Sequence, residues 1–146
     1  MPNVLYTTGY EQHREPAALI AELQRAGVLR LVDVRELPLS RRRGFSKTRL
    51  SQLLTEAGIR YEHERALGNP KQLRDLYKNG QQAEGEAGYR AHVRNGSAWA
   101  VDWLHDTLED GPACLLCFER DPATCHRSVI VDELRERMPS LRVEHL

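Results

Sequence analysis

The sequence predicts a three-layer α/β/α domain built on a mainly parallel sheet of about five strands. Three observations lead there. Short apolar runs alternate with helix-periodic segments along the whole chain. One run, Leu29 to Val34, is apolar almost throughout, as a strand covered on both faces is. Glycine or proline marks most of the junctions between the two kinds of segment. At 146 residues, 40% hydrophobic and 29% charged, the chain has the size and composition of one soluble domain, taken as residues 1–146.

Val4 to Thr7 reads as the first strand, ending at Thr8-Gly9-Tyr10, where Gly9 permits a tight turn. Pro16 suits the first turn of a helix; Leu19, Ile20 and Leu23 recur at helical spacing until Gly27 closes it. The second strand, Leu29 to Val34, carries Asp33 and Arg35 at its carboxyl end. A loop from Pro38 to Gly44 follows, Ser46 is placed to cap, and Leu50, Leu53, Leu54 and Ala57 form one helical face up to Gly58.

Ile59 to Glu62 is a third short strand leading into His63. Asn69-Pro70 resembles a capped helix start, with Leu73, Leu76 and Tyr77 on one face. Gln81 to Gly88 is polar and glycine-bearing, and is expected to be mobile. Tyr89 to Arg94 reads as a helical segment broken at Asn95-Gly96, with Ser97 capping the next helix. Gly111-Pro112 introduces the most apolar strand, Ala113 to Phe118. After a charged turn, Ile130, Leu134 and Met138 mark a last helix stopped by Pro139, and Leu141 to His145 makes a final edge strand.

The formal net charge is zero, so any anion binding must be local rather than a property of the whole surface. No apolar stretch approaches the roughly 20 residues of a membrane span, and Met1 to Gly9 has no export signal, so a cytoplasmic protein is expected. Three cysteines, an odd number, are read as thiols rather than a disulfide framework. No cofactor is named by any motif, and the oligomeric state is not readable.

In a parallel sheet all carboxyl ends share one edge, so Thr8 to Tyr10, Asp33 to Glu36, His63 and Glu119 to Ser128 are expected to gather there. Four segments carry a family likeness in the right order: Tyr6-Thr7-Thr8-Gly9-Tyr10; Val32 to Pro38 with Ser40 and Gly44-Phe45-Ser46; Tyr61 through Leu67-Gly68; and Leu115 to Glu119 with Cys125-His126-Arg127. Together they resemble the DUF488 family of uncharacterised bacterial and archaeal proteins. The resemblance implies a single α/β domain with a cytoplasmic role and brings no established activity.

Cys125-His126-Arg127 opens a helix, where the dipole and neighbouring cations favour a thiolate. Cys125 is therefore read either as a nucleophile, redox thiol or metal ligand, or as a small packed side chain. A phosphatase-like cradle is excluded, since the residues six after Cys117 and Cys125 are Ala123 and Val131 rather than arginine, and Phe118 to Thr124 has no glycine to build an amide nest. A structural zinc site on Cys114, Cys117, Cys125 and His126 is disfavoured, because residues three apart on a strand point to opposite faces. A catalytic metal on His63, His126 and Glu119 has no helical histidine spacing behind it.

The second constellation is Ser40 to Arg49, in which Arg41, Arg42, Arg43, Lys47 and Arg49 flank Gly44 and Phe45. Such a run suits phosphate groups and a stacked base, against the alternative of a solvated basic loop. The leading expectation is an active-site pocket for an anionic, phosphate-bearing ligand, a nucleotide or nucleic-acid end. Asp33, Glu119, His126 and Cys125 would be catalytic, and Thr8, Tyr10, Arg35, Ser40, Arg41, Arg42, Arg43, Phe45 and Arg127 would bind the ligand. Tyr61 and His63 would form walls, and Trp99 and Trp103 pack. The alternatives are a non-catalytic nucleic-acid-binding module using residues 41–49 and a thiol redox protein.

Overall fold

A computed structural model describes residues 4–146, so part of the stretch read for an export signal lies outside it. The strands are β1 (Leu5–Gly9), β2 (Arg30–Asp33), β3 (Arg60–His63), β4 (Ala113–Cys117) and β5 (Val143–His145). The helices are α1 (Pro16–Ala26), α2 (Lys47–Glu56), α3 (Lys71–Lys78), α4 (Gln82–His92), α5 (Ala98–Glu109) and α6 (Arg127–Arg137). All four strand pairings are parallel, in the order β3-β2-β4-β1-β5.

The most apolar run becomes the central strand. Every residue of β4 is buried, and its side chains alternate between two cores. Cys114 and Leu116 face Leu19 and Leu23 of α1 and Leu50 and Leu54 of α2. Leu115 and Cys117 face the opposite core, built from Tyr89 of α4, Leu104 of α5 and Ile130 and Leu134 of α6. Each fully buried leucine contributes on the order of 2 kcal/mol of gross hydrophobic stabilisation. The alternation also separates Cys114 from Cys117, as the strand geometry predicts.

This topology creates the crevice. β1 and β2 run into helices on one face of the sheet, whereas β4, which lies between them, runs into α6 on the other. The chain thus diverges at the carboxyl end of β4, where open α/β sheets leave room for a ligand. Among the described residues, no helix is long and apolar enough to cross a membrane.

Several local expectations hold and several do not. Pro16 opens α1, and Gly27 closes it at φ 75°. Gly9 has an ordinary extended φ of −118°, so a tight turn is not its purpose. A Cβ there would stand 1.7 Å from the Glu119 carbonyl oxygen, and only glycine lets β1 approach that backbone. Ser46 occupies the cap position of α2 but makes no capping bond. Its hydroxyl instead donates to the Ser40 carbonyl and accepts from the Ser40 amide, closing the loop between them.

The stretch from Gln81 to Gly88, expected to be mobile, forms the cap and first turns of helix α4. Its glycines serve close packing: a Cβ on Gly85 would lie 2.9 Å from the Tyr77 ring and one on Gly88 2.5 Å from the Leu73 side chain. The break expected at Asn95-Gly96 is a π turn, Val93–Ser97, which carries α4 into α5 while Ser97 makes no side-chain cap. Asn69 likewise does not cap α3, which starts after Pro70.

Candidate functional site

Cys117 ends β4, and Cys125 and His126 stand at the entry of α6. The 3-10 turn Pro122–Thr124 brings them together, and Asp121 caps that turn by accepting from the Ala123 amide at 2.9 Å. His126 is held from two sides. One ring nitrogen, Nε2, is 2.7 Å from the Val34 carbonyl oxygen, which only accepts, so Nε2 carries the hydrogen. The edge of the ring meets Tyr89 at a centroid distance of 5.0 Å. Tyr89 is itself fixed by donating to the Leu67 carbonyl at 2.7 Å.

With Nε2 committed, Nδ1 faces sulfur. It is 3.5 Å from Cys125 Sγ and 3.9 Å from Cys117 Sγ. Cys117 Sγ is also 3.3 Å from Glu119 Oε2. Burial opposes a thiolate at Cys125, but the Cys117 S–H and the His126 imidazolium outweigh it and hold the Cys125 thiol well below its ordinary range. Cys117 is shifted the other way: its bond to Cys125, then burial, hold its thiol well above its ordinary range. Burial alone would lower His126; the adjacent Cys125 sulfur raises it instead. Burial, followed by the Cys125 charge, pushes the Glu119 carboxyl up.

These four residues line a cavity of about 430 Å³ that also takes in Tyr10, Arg35, Asn69, Arg74, Tyr77 and Lys78. A cavity of this size fits a nucleotide-sized molecule. Its walls contain an unusual feature. Among the described residues, three buried side-chain polar atoms have no hydrogen-bond partner: Asn69 Oδ1, Tyr77 OH and Arg127 Nε. The first two belong to residues that line this cavity. Buried polar groups are ordinarily paired, so two orphans on residues of one wall stand out.

Behind the cavity stands a second, fully paired cluster. Asp33 is completely buried at the end of β2 and accepts from Arg35 three times, from its amide, Nε and Nη2. Tyr61 adds a fourth bond, donating to Asp33 Oδ2 at 2.5 Å. Burial works against the Arg35 charge, and the Asp33 carboxylate more than restores it. Burial and the Asp33 charge together keep the Tyr61 phenol protonated far up the pH scale. Arg35 reaches the cavity wall, and its other nitrogen donates to the Phe45 carbonyl at 2.8 Å.

A family model for a domain of unknown function, DUF488, matches residues 15–134. The chain belongs to the DUF488 family. No curated protein and no solved structure matches it.

In this DUF488 protein the residues singled out from the sequence separate into three groups. Cys125, His126, Glu119, Tyr10 and Arg35 meet at the cavity. Asp33 lies behind it and supports Arg35. Tyr61 and His63 are not walls: Tyr61 buttresses Asp33, and His63 Nε2 bonds the Arg35 carbonyl at 2.7 Å. The remaining residues are elsewhere. Thr8 is fully buried, its hydroxyl on Glu22. Ser40 bonds within its own loop. Phe45 is fully buried and already stacked on Tyr10 at 4.7 Å, so no base can stack there.

The cationic expectations are corrected most. Arg127 is wholly buried and is structural: it donates to the Glu119 and Arg120 carbonyls and the Thr7 hydroxyl, holding the turn after β4. Arg42 points its Nη1 at three carbonyls, those of Tyr10, Glu11 and His13. Arg41 and Arg43 are exposed and away from the cavity. Besides Arg35, the cations that line it, Arg74 and Lys78, come from α3, together with Tyr77 of that helix and Asn69 just before it. Nothing local in the sequence marks these four, because their approach depends on the return of the chain from edge strand β3 to central strand β4.

Proposed function

We propose that this DUF488 protein is an enzyme acting on a small, anionic, phosphate-bearing molecule of nucleotide size, bound in the cavity at the carboxyl end of β4. The observation that carries the reading is the pair of unpartnered buried groups, Asn69 Oδ1 and Tyr77 OH, carried by two residues that line the cavity ending on Cys117, Cys125, His126 and Glu119. A ligand lies against the reactive floor and completes the two orphans once the Asn69 amide and the Tyr77 ring turn toward it. Lys78 and Arg74 meet its charge, although Arg74 shares its guanidinium with Glu36 at 3.2 Å and the Asn69 carbonyl at 2.7 Å. Cys125 supplies the reactive sulfur and Glu119 the group that moves a proton.

A nucleic-acid module built on residues 41–49 has less behind it, since Arg42, one of its five cations, is spent on backbone carbonyls. Thermal denaturation with inorganic phosphate and a panel of nucleoside phosphates separates the two. A ligand at 100 times its dissociation constant stabilises by about 2.7 kcal/mol, a rise in Tm of several degrees. The expected result is such a rise with at least one compound, abolished in the Lys78→Ala/Tyr77→Phe double variant. No rise with any of them, or a rise abolished only by Arg41→Ala/Arg43→Ala, overturns the reading.

A further inference from the structure

The floor of the cavity has the form of a coordination site. Cys117 Sγ, Cys125 Sγ and His126 Nδ1 all lie within 4.8 Å of one another, and all three side chains are buried. A tetrahedral zinc ion with bonds of about 2.3 Å to sulfur and about 2.05 Å to nitrogen separates those two ligand atoms by about 3.6 Å. The separations here are 3.5 Å from Nδ1 to Cys125 and 3.9 Å to Cys117, so only small rotations of the Cys117 side chain are needed.

The surroundings favour the same conclusion. A metal-binding histidine commonly donates its other ring N–H to a carbonyl, which fixes the tautomer and aims the ring. His126 has that partner in Val34, so Nδ1 is the nitrogen left to face the sulfurs. Two sulfurs and an imidazole select a borderline-soft ion over magnesium or calcium. Because all three residues also line the cavity, a fourth coordination position opens toward it, the pattern of a catalytic rather than a structural zinc site. Glu119, 3.3 Å from Cys117 through Oε2, stands beside the group. The one other cluster of this kind among the described residues, His105, Asp106 and Glu109, lies along the surface of α5, with both acids exposed, and has no such wall.

We propose that Cys117, Cys125 and His126 bind one zinc-class divalent cation through two thiolates and Nδ1, leaving its fourth position for the cavity's ligand. On binding, each thiol still protonated and the His126 imidazolium at Nδ1 release their protons to solvent, so that His126 binds as the neutral imidazole. In the loaded protein the sulfurs are ligands and the open position is the electrophilic centre. The inference rests on the cavity being the active site; it uses none of the argument about phosphate.

The test is a titration of the reduced, chelator-treated protein with Co²⁺, then Zn²⁺. The expected result is one equivalent of Co²⁺ bound, with an intense near-ultraviolet sulfur-to-cobalt band that Zn²⁺ abolishes. Cys117→Ser and Cys125→Ser should each weaken binding at least tenfold, and Cys114→Ala should leave it unchanged. No sulfur-to-cobalt band in the wild type, or a band that survives in the double serine variant, overturns the proposal. If the serine variants fail to fold, the wild type still decides: Zn²⁺ must protect two thiols from alkylation, and failure to do so is equally fatal. Phosphate-compound thermal shifts measured on the same metal-free protein keep the two readings apart. Shifts without metal binding sink this inference alone, and metal binding without shifts sinks the phosphate reading alone.

Discussion

His126 bridges two elements that are far apart in sequence: its Nε2 is 2.7 Å from the Val34 carbonyl oxygen, and its Nδ1 is 3.5 Å from Cys125 Sγ. The ring therefore locks the end of β2 to the entry of α6 and aims a nitrogen at the sulfurs. His126→Ala leaves a buried carbonyl unpaired and an imidazole-sized hole. The expected loss is about 2–4 kcal/mol, read from urea unfolding. A loss below 1 kcal/mol would mean that the ring is not a structural bridge.

Asp33 is a supporting residue rather than a proton carrier. It has no exposed surface and accepts four hydrogen bonds, three of them from Arg35. Asp33→Asn leaves the Arg35 charge buried without its counter-ion, which costs about 3–5 kcal/mol. Chemical denaturation of the variant checks this. A variant as stable as the wild type but inactive would return Asp33 to the catalytic group.

The basic loop divides by role. Arg42→Ala removes a cation that ties three carbonyls and should cost about 1.5–3 kcal/mol. Arg41→Ala and Arg43→Ala, both at exposed positions, should stay within about 0.5 kcal/mol of the wild type. Equal effects for all three in thermal denaturation would contradict the assignment of Arg42 as a structural staple.

Alkaline pH tests the bond between Tyr61 and Asp33. Burial and the Asp33 charge raise the Tyr61 phenol above its ordinary value of about 10. A group whose folded pKa is raised stabilises fully below its unfolded pKa, and that contribution fades as pH climbs toward the folded value. Tyr61→Phe should therefore be less stable than the wild type by about 1–2 kcal/mol at neutral pH. The gap should close as pH rises above about 10. Urea unfolding at pH 8, 10 and 11 measures it, and a constant gap would argue against the raised phenol.

Much of the scaffold is written in local patterns. The apolar run Ala113 to Phe118 and its neighbour Leu29 to Val34, charged only at Arg30 and Asp33, reveal two of the three inner strands, because burial on both faces leaves few polar positions. Pro16 and Gly27 bound α1 through backbone preferences that need no tertiary context. Helix α4 is hidden for the opposite reason: Gly85 and Gly88 look like breakers, and their purpose emerges only when Tyr77 and Leu73 lie against them. The site divides the same way. Cys125, His126 and Glu119 share one strand-to-helix junction and can be found from it. Asn69, Arg74, Tyr77 and Lys78 reach the cavity only through the strand order, which no local pattern encodes. Arg42 and Arg127 mislead because a guanidinium that staples carbonyls and one that awaits an anion have the same letter.

The central claim is that the cavity opens onto the two thiols of its floor and that a phosphate-bearing molecule covers them. Iodoacetamide labelling of the folded, reduced and chelator-treated protein with peptide mapping, with and without millimolar nucleoside phosphates, tests both halves at once. Cys117 and Cys125 line the cavity, whereas Cys114 is sealed under α1 and α2. The account predicts label on Cys125 or Cys117, none on Cys114 until unfolding, and slower labelling with at least one phosphate compound. Label on Cys114 at the same rate as on the other two, or a rate that no phosphate compound changes, would contradict it.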